Sequence, residues 1–246
     1  MDKRILVWDF PTRIFHWTLA LSFAGAYLTA EAERWRDIHV ICGYLMLGMI
    51  GFRLVWGLVG SRHARFADFV RGPAAVLRYL RSLLSRSPER HVGHNPAGAI
   101  AVVLLLALGL GSGISGWMMF NESGGAQLAD VLEDLHETLG NAMLAVVAIH
   151  VLGVIVASRL HRENLIAAMV TGYKNGPENE GIHHRHGIIA VILIAALVAF
   201  GWSLTQGKLP ALYDPGGATM EKLQKEAGHH DHNDRSRRKG KNPHDD

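Results

Sequence analysis

Five apolar runs constrain this chain more than any other feature. Each run has 17 to 24 residues and at most one charged residue, and they extend over Ile14–Ala30, Ile38–Gly60, Ala97–Phe120, Thr138–Ser158 and Gly187–Gln206. A helix needs about 20 apolar residues to cross the hydrocarbon layer of a membrane. Lipid tolerates only helices or closed barrels, and these runs lack the apolar–polar alternation of barrel strands. The sequence therefore predicts an all-α integral membrane protein with five crossings.

The composition excludes several other classes. Only 19% of the 246 residues are charged, fewer than the roughly 25% of soluble domains. The single cysteine, Cys42, excludes an intrachain disulfide, a thiolate zinc site and an iron–sulfur cluster held by this chain alone. The sequence has no Cys-x-x-Cys-His motif, which excludes covalently attached haem. The net charge of +3 is weak and scattered, so we expect no binding of nucleic acid.

The distribution of Lys and Arg predicts the orientation, because the loops that carry them stay on the cytoplasmic side. Residues 1–13, 61–96 and 159–186 together contain fourteen, whereas residues 31–37 and 121–135 contain two. This places the N-terminus in the cytoplasm and the tail after Gln206 outside. Residues 1–32 can also be read as a cleaved signal peptide, but Arg13, His16 and Trp17 interrupt the position where its apolar core should begin.

Four histidines lie within or at the edges of the apolar runs, where polar groups usually mark a functional site. His136 and His150 are fourteen residues apart, so on one helix they project from nearly the same face, about 21 Å apart along the axis. The alternating helix directions then place His16 at the level of His150, and His39 at the level of His136. Two histidine pairs at two depths are typical of two stacked haems, each with two imidazole ligands.

Other residues support a porphyrin site. Gly43 and Gly140 each follow a histidine by four positions, one turn along the same face, and Gly48, Gly51 and Gly153 extend the pattern. Arg53 follows His39 by fourteen positions and is a natural partner for a haem propionate, with Arg13 as a weaker candidate. Each feature has an ordinary structural alternative: hydrogen bonding within a bundle for the histidines, helix packing for the glycines, and snorkelling or interfacial anchoring for the arginines.

The motifs as a set resemble the bacterial di-haem cytochrome b family, which includes the prokaryotic cytochrome b-561 group and the cytochrome b subunits of nickel–iron hydrogenases. The resemblance covers about Arg4 to Gly172 and is carried by Pro11-Thr12-Arg13-Ile14-Phe15-His16-Trp17, His39 with Gly43 and Arg53-Leu54-Val55-Trp56, Gly93-His94-Asn95-Pro96, and His136-Glu137-Thr138-Leu139-Gly140-Asn141 with His150. It implies two non-covalent b-type haems, with His16 paired to His150 and His39 to His136.

The resemblance implies a four-helix core, from which the fifth run and the tail depart. We expect a four-helix di-haem core over residues 1–172, a linker and fifth crossing over 173–206, and a polar tail over 207–246 whose composition predicts disorder. The location is a bacterial inner membrane, with the tail in the periplasm. His94 precedes the third run and is either an interfacial polar cap or a contact for quinone or propionate.

The function that follows is transmembrane electron transfer, because two axial imidazoles leave the iron no open position for oxygen chemistry. The expected partners are a quinone pool and a periplasmic c-type cytochrome, hydrogenase or dehydrogenase subunit, and the chain has no open catalytic site of its own. Two alternatives remain: a histidine-lined metal or ion transporter, and a membrane anchor subunit without haem. A transporter usually has carboxylates or broken helices at membrane depth, but within these runs no carboxylate is present.

Overall fold

The computed structural model describes residues 3–83, 85, 89–122 and 125–205. The tail, residues 207–246, for which the composition predicts disorder, lies outside these residues. The described elements, in chain order, are β1 (Lys3–Leu6), α1 (Phe10–Thr29), α2 (Arg36–Val59), α3 (Phe66–Phe69), α4 (Pro73–Ser82), α5 (Pro96–Phe120), α6 (Ala126–His161), α7 (Leu165–Thr171), β2 (Tyr173–Gly176) and α8 (Gly187–Thr205). The chain divides into two units, Met1–Ala196 and Leu197–Asp246, and the described part of the second is the end of α8.

Four described helical segments are long and apolar enough to cross a membrane. They are Glu33–Val59, Pro96–Phe120, Leu128–His161 and Gly187–Leu204, and they agree with four of the five predicted crossings. The remaining one, α1, has 20 residues, but Arg13, His16 and several hydroxyl side chains make it less apolar. The chain is thus a mostly helical, multi-pass membrane protein, and the crossing by α1 stays a prediction.

Helix α6 differs most from the sequence prediction. The apolar run begins at Thr138, whereas the helix begins at Ala126 and has 36 residues. Residues 126–135, predicted as part of a loop, are helical, because acidic side chains are compatible with a helix although they lower its hydropathy. At 1.5 Å per residue, α6 is about 54 Å long and exceeds the ~30 Å hydrocarbon layer.

Side-chain caps define where α1 and α5 begin. Asp9 accepts a hydrogen bond from the Thr12 backbone N–H at 2.8 Å and is followed within two residues by a proline. Asn95 caps α5 in the same way through the Gly98 N–H at 2.7 Å, and it directly precedes a proline. A short polar side chain before proline satisfies an amide that the first helical turn leaves unpaired.

The four helices of the core meet in a central apolar layer. α1 packs on α2, α2 on α5, and α5 on α6. The layer is formed by buried Ala26, Met46 and Met143 with Leu19, Phe23, Cys42, Leu105, Leu108 and Val147 packed around them. Outward-facing side chains are also apolar; Leu58 and Ile149 are 72% and 68% exposed. A helix that is apolar on all sides is typical of a membrane-embedded bundle.

A small antiparallel ribbon joins the two ends of this core. β1 pairs with β2, and the Val7 and Trp8 amides both donate to the Gly172 carbonyl oxygen, at 2.8 and 3.1 Å. Gly172 has a φ of +89°, and a Cβ there would lie 2.7 Å from the Trp8 carbonyl oxygen. Both the left-handed backbone and the close approach require glycine at this position.

Candidate cofactor site

The structure brings His39 and His136 together. His39 lies on α2, His136 lies on α6, and their ring centroids are 5.8 Å apart with the planes at 70°. Gly116 on α5 allows this approach, because a Cβ at that position would lie 2.8 Å from the His136 Cε1 atom. Gly116 was not predicted from the sequence. The feature that could have indicated it is the high glycine content of α5, which packs against a helix that carries a histidine.

Backbone carbonyls hold both of these imidazoles by one nitrogen. The His39 Nδ1 atom lies 2.9 Å from the Ala26 carbonyl oxygen on α1. The His136 Nδ1 atom lies 2.9 Å from the Ser112 carbonyl oxygen on α5, with the Ser115 hydroxyl at 3.2 Å. A carbonyl oxygen only accepts hydrogen bonds, so Nδ1 carries the proton in each ring. Each Nε2 atom then keeps its lone pair, which is the arrangement of a metal-binding histidine.

The second predicted pair is His16 and His150, at the other end of the central layer. His16 lies on α1, His150 lies on α6, and the two imidazoles are close enough to interact electrostatically. The Nδ1 atom of His16 is buried and has no hydrogen-bond partner among the described residues. Trp17 packs edge-on against the His16 ring at 5.1 Å. This pair therefore differs from the first in lacking a carbonyl for His16 Nδ1.

The glycines of the core fall into two groups. On α5, a Cβ at Gly109 or Gly113 would lie within 3.0 Å of a side chain on α2, so these glycines allow close helix packing. Gly43 and Gly140 instead face open space, with no atom within 4 Å of an added Cβ. Each lies about 40° around its helix from its histidine. Gly48 also faces open space but lies on the opposite face from His39, so it does not extend the predicted pattern.

Arg53 is a buried cation without a hydrogen-bonded anion. Its side chain lies over the rings of Phe66, Phe69 and Phe15, at 4.8, 5.7 and 5.9 Å, and the residue is 2% exposed. Neither terminal nitrogen has a hydrogen-bond partner among the described residues. Because a buried guanidinium is costly without a partner, this position fits an anionic group of a bound cofactor.

Arg13 is engaged differently. Its guanidinium donates to the Val170 carbonyl oxygen near the end of α7 and lies 5.2 Å from the Phe10 ring. Its Nε atom is buried and has no partner in the part of the chain that the structure describes. A cation at the last carbonyls of a helix is a common structural interaction, so the observed contacts of Arg13 tie α1 to α7.

His94 is closer to the candidate site than the sequence indicated. Its ring packs between Phe69 at 4.4 Å and Trp8 at 4.8 Å, and its Nδ1 atom is buried without a described partner. Burial, together with the nearby charges of Arg53 and His150, lowers the pKa of His94 to about 3. His94 is therefore neutral at physiological pH. In the sequence, the motif Gly93-His94-Asn95-Pro96 indicated that this histidine could be functional.

Asp9 is a second residue that sequence reasoning missed. It is fully buried, and its Oδ2 atom accepts a hydrogen bond from the Trp56 indole at 3.2 Å. The same oxygen lies 3.4 Å from His186 Nδ1. Its second oxygen caps α1, so one carboxylate connects α1, α2 and the segment before α8. An acid that precedes Phe-Pro at a helix start indicates a cap, but nothing local indicates the contact with Trp56.

Comparison with known families matches this architecture. The profile of the prokaryotic cytochrome b561 family aligns with residues 7–172, two thirds of the chain. The chain belongs to this family. The resemblance inferred from the motifs is confirmed, and the matched region includes all four histidines and Arg53. This cytochrome is accordingly a membrane electron-transfer protein that binds b-type haem.

Several curated relatives cover a similar share of the chain. A protein of Azotobacter vinelandii is 28% identical over 69% of this chain and 88% of its own length. Proteins of Cupriavidus necator and Rhodobacter capsulatus are 27% and 22% identical, over 70% and 69% of this chain and 87% and 81% of their own. Each is described as a "probable Ni/Fe-hydrogenase B-type cytochrome subunit". No solved structure matches the chain.

The residues of this cytochrome fit a haem with two imidazole ligands. A metal–imidazole bond is about 2 Å long, so two rings on opposite sides of one iron have centroids about 6 Å apart. The 5.8 Å between His39 and His136 agrees with this requirement. The open space at Gly43 and Gly140 and the unpaired cation of Arg53 are further features that a haem would use.

Proposed function

We propose that this cytochrome transfers electrons across the membrane through two b-type haems. His16 and His150 would hold one haem, and His39 and His136 would hold the other. When bound, each haem supplies one-electron chemistry between the ferrous and ferric states of its iron. The observation that carries the proposal is the His39–His136 pair, with ring centroids at 5.8 Å and both Nδ1 atoms within 2.9 Å of carbonyl oxygens.

The protein side chains perform three tasks in this proposal. Ala26 and Ser112 hold the tautomer and orientation of His39 and His136 through their carbonyl oxygens. Arg53 would pair with a propionate near the His16–His150 level, and Arg13 is a secondary candidate for the same role. The central apolar layer separates the two levels. The four histidines would hold both irons, so the proposal gives the chain no open site for catalysis of its own.

Haem stoichiometry in single-ligand variants tests the proposal. Full-length protein should contain two haems per chain by pyridine haemochrome assay, with low-spin bis-imidazole signals in electron paramagnetic resonance spectra. His136→Ala and His150→Ala should each lose one haem and one of the two signals. Two haems in both variants, or a stable wild-type protein without haem, would contradict the proposal, and the second result would favour the transporter or anchor alternatives.

A matched control separates ligand loss from misfolding. His91 is a histidine outside the membrane-spanning segments, paired with Glu89 at 3.7 Å. His91→Ala should keep two haems and the wild-type spectrum. His39→Met offers a second readout, because methionine is an alternative axial ligand that raises the reduction potential. A new absorption and potential signature for one haem, with the other unchanged, would support the assignment even where alanine destabilises the chain.

The proposed topology has five crossings formed by α1, α2, α5, α6 and α8. Fourteen Lys and Arg on one side against two on the other support an N-terminus in the cytoplasm. The di-haem core would comprise residues 1–172, followed by a linker and crossing over 173–206 and a periplasmic tail over 207–246. Reporter fusions after residues 30, 60, 121, 175 and 206 should alternate between the periplasm and the cytoplasm. The same location for the fusions after 175 and 206 would contradict a crossing by α8.

The proposed partners are a quinone pool and a periplasmic redox protein. The names of the relatives support a hydrogenase of the Ni/Fe type, with a c-type cytochrome or another dehydrogenase subunit as alternatives. Membranes that contain the cytochrome and a candidate hydrogenase should reduce b-type haem when hydrogen is added, and a quinone analogue should block reoxidation. Haem reduction by neither hydrogenase nor quinol would contradict this pair of partners without affecting the haem assignment.

A further inference from the structure

Helix α4 has three distinct faces. Ala75, Val76 and Tyr79 point toward the protein, and Tyr79 is buried beside His91 with ring centroids 5.5 Å apart. A second face carries Leu77 and Leu80, which are 50% and 45% exposed. The third face carries Arg78, Arg81 and Ser82. The helix therefore has one apolar face that the protein covers and another that the described residues leave open.

The membrane-spanning helices that precede and follow α4 in the chain also expose apolar side chains. Leu58 and Val59 at the end of α2 are 72% and 71% exposed, and Ile100 near the start of α5 is 44% exposed. α4 lies between these two helices in sequence and packs on α5. The side chains that would face lipid on α2 and α5 thus flank, in sequence, the open face of α4.

The charge around α4 is strongly positive. Residues 61–96 contain seven arginines and two acidic residues. Glu89 lies 3.6 Å from Arg78, Asp68 lies 3.7 Å from Arg62, and Glu163 pairs with Arg90, so acidic side chains balance only part of this charge. Arg71 and Arg78 also border a cavity of about 340 Å³, together with Arg62 and His91.

We propose that α4 lies in the membrane interface and, with Arg71, Arg78 and Arg81, binds anionic phospholipid. Leu77 and Leu80 enter the acyl region of the leaflet on the N-terminal side of the protein, and the arginines contact lipid phosphates. An apolar face beside a cationic face is typical of helices that lie in the plane of a membrane. Arginine-rich segments next to membrane-spanning helices favour anionic lipid by electrostatic attraction. This assignment does not depend on the proposed haems or redox partners.

Hydrogen–deuterium exchange in nanodiscs tests the proposal. Full-length haem-loaded protein would be placed in phosphatidylcholine alone and in phosphatidylcholine with one third phosphatidylglycerol. We expect amides of residues 75–82 to exchange several-fold more slowly with phosphatidylglycerol. The double variant Arg78→Gln, Arg81→Gln should lose this difference. Native mass spectrometry should show affinity for phosphatidylglycerol reduced roughly fivefold for each charge removed, which is the effect of about 1 kcal/mol per arginine near a surface.

Two further variants complete the test. Arg34→Gln with Arg36→Gln removes the same charge at the start of α2, where Arg36 is the first helical residue, and should behave as wild type. Leu77→Gln with Leu80→Gln should reduce protection in both lipids while the haem spectrum stays unchanged. Equal exchange in the two lipids, an equal effect of the Arg34 and Arg36 control, or protection that appears only on addition of a soluble protein would overturn the proposal.

Discussion

The Trp56 indole N–H donates a hydrogen bond of 3.2 Å to the Asp9 carboxylate, which ties the last turns of α2 to the first residue before α1. His16 follows Asp9 by seven residues, and Arg53 precedes Trp56 by three. One buried hydrogen bond therefore sets the relative position of a proposed haem ligand and the proposed propionate partner. Local sequence gives no indication of this link, because the two residues are 47 positions apart.

We predict that Asp9→Ala destabilises the holoprotein. The change removes the cap of α1, worth about 1 kcal/mol, and leaves the buried Trp56 N–H unpaired, at a cost of roughly 1–3 kcal/mol. Thermal unfolding followed by loss of the haem absorption band should show an apparent Tm several degrees lower. Asp9→Asn keeps one acceptor oxygen and should have a smaller effect. A Tm for Asp9→Ala equal to wild type would show that neither contact matters.

Arg53→Gln should lower the reduction potential of one haem. A nearby cation stabilises the reduced state, which has one more negative charge, so its removal favours the oxidised state. At protein-interior dielectric constants the effect is on the order of tens of millivolts. Redox titration of the purified protein measures it, and Arg65→Gln provides a control with the same charge change at an exposed position. Equal shifts of the reduction potential in the two variants would show that Arg53 does not lie near a haem.

Leucine substitutions should distinguish the open glycine near His39, Gly43, from the open glycine on the opposite face of α2, Gly48. Gly43→Leu places a large side chain beside His39 and should remove one haem. Gly48→Leu places the same side chain on the opposite face and should keep both. At neither position does an added Cβ come within 4 Å of a described protein atom, so the comparison of the two variants reports on cofactor space. Pyridine haemochrome assays give the count, and loss of haem from both variants would refute the distinction.

Gly172→Ala should destabilise the junction between α7 and β2. An alanine there adopts a φ of +89°, and its Cβ lies 2.7 Å from the Trp8 carbonyl oxygen. Strain at such a position costs on the order of 1–3 kcal/mol. We expect a lower apparent Tm and faster limited proteolysis between Met169 and Glu178. Gly187→Ala, with no atom within 4 Å of the added Cβ, should retain wild-type stability and serves as the control.

The sequence is most informative where a property is local or periodic. Apolar runs reveal four crossings because hydropathy depends only on composition, and His136 and His150 share a face because helical periodicity is fixed. The motifs around His16, His39 and His136 identified the family. The acidic first turns of α6 escaped prediction because hydropathy does not distinguish a polar helix from a loop.

Long-range contacts account for what could not be predicted. Gly116 touches His136 from another helix, and its role follows only once α5 and α6 are packed together. The carbonyl partners of the histidines belong to backbone atoms, which have no residue signature. Arg53 was expected to face a propionate, but its enclosure by Phe15, Phe66 and Phe69 depends on three separate elements. Burial of His94 likewise needs Trp8 and Phe69, which are distant in sequence.

The central layer of Ala26, Met46 and Met143 has an electrical consequence. It lacks charged groups, so no compensating ion can accompany an electron that passes between the two histidine levels. These levels are about 21 Å apart along α6, roughly two thirds of the hydrocarbon thickness. Under the proposed function, a potential of 100 mV across the membrane would then bias the redox equilibrium between them by about 1.5 kcal/mol, a little over tenfold. The cytochrome would respond to membrane voltage without a conformational change.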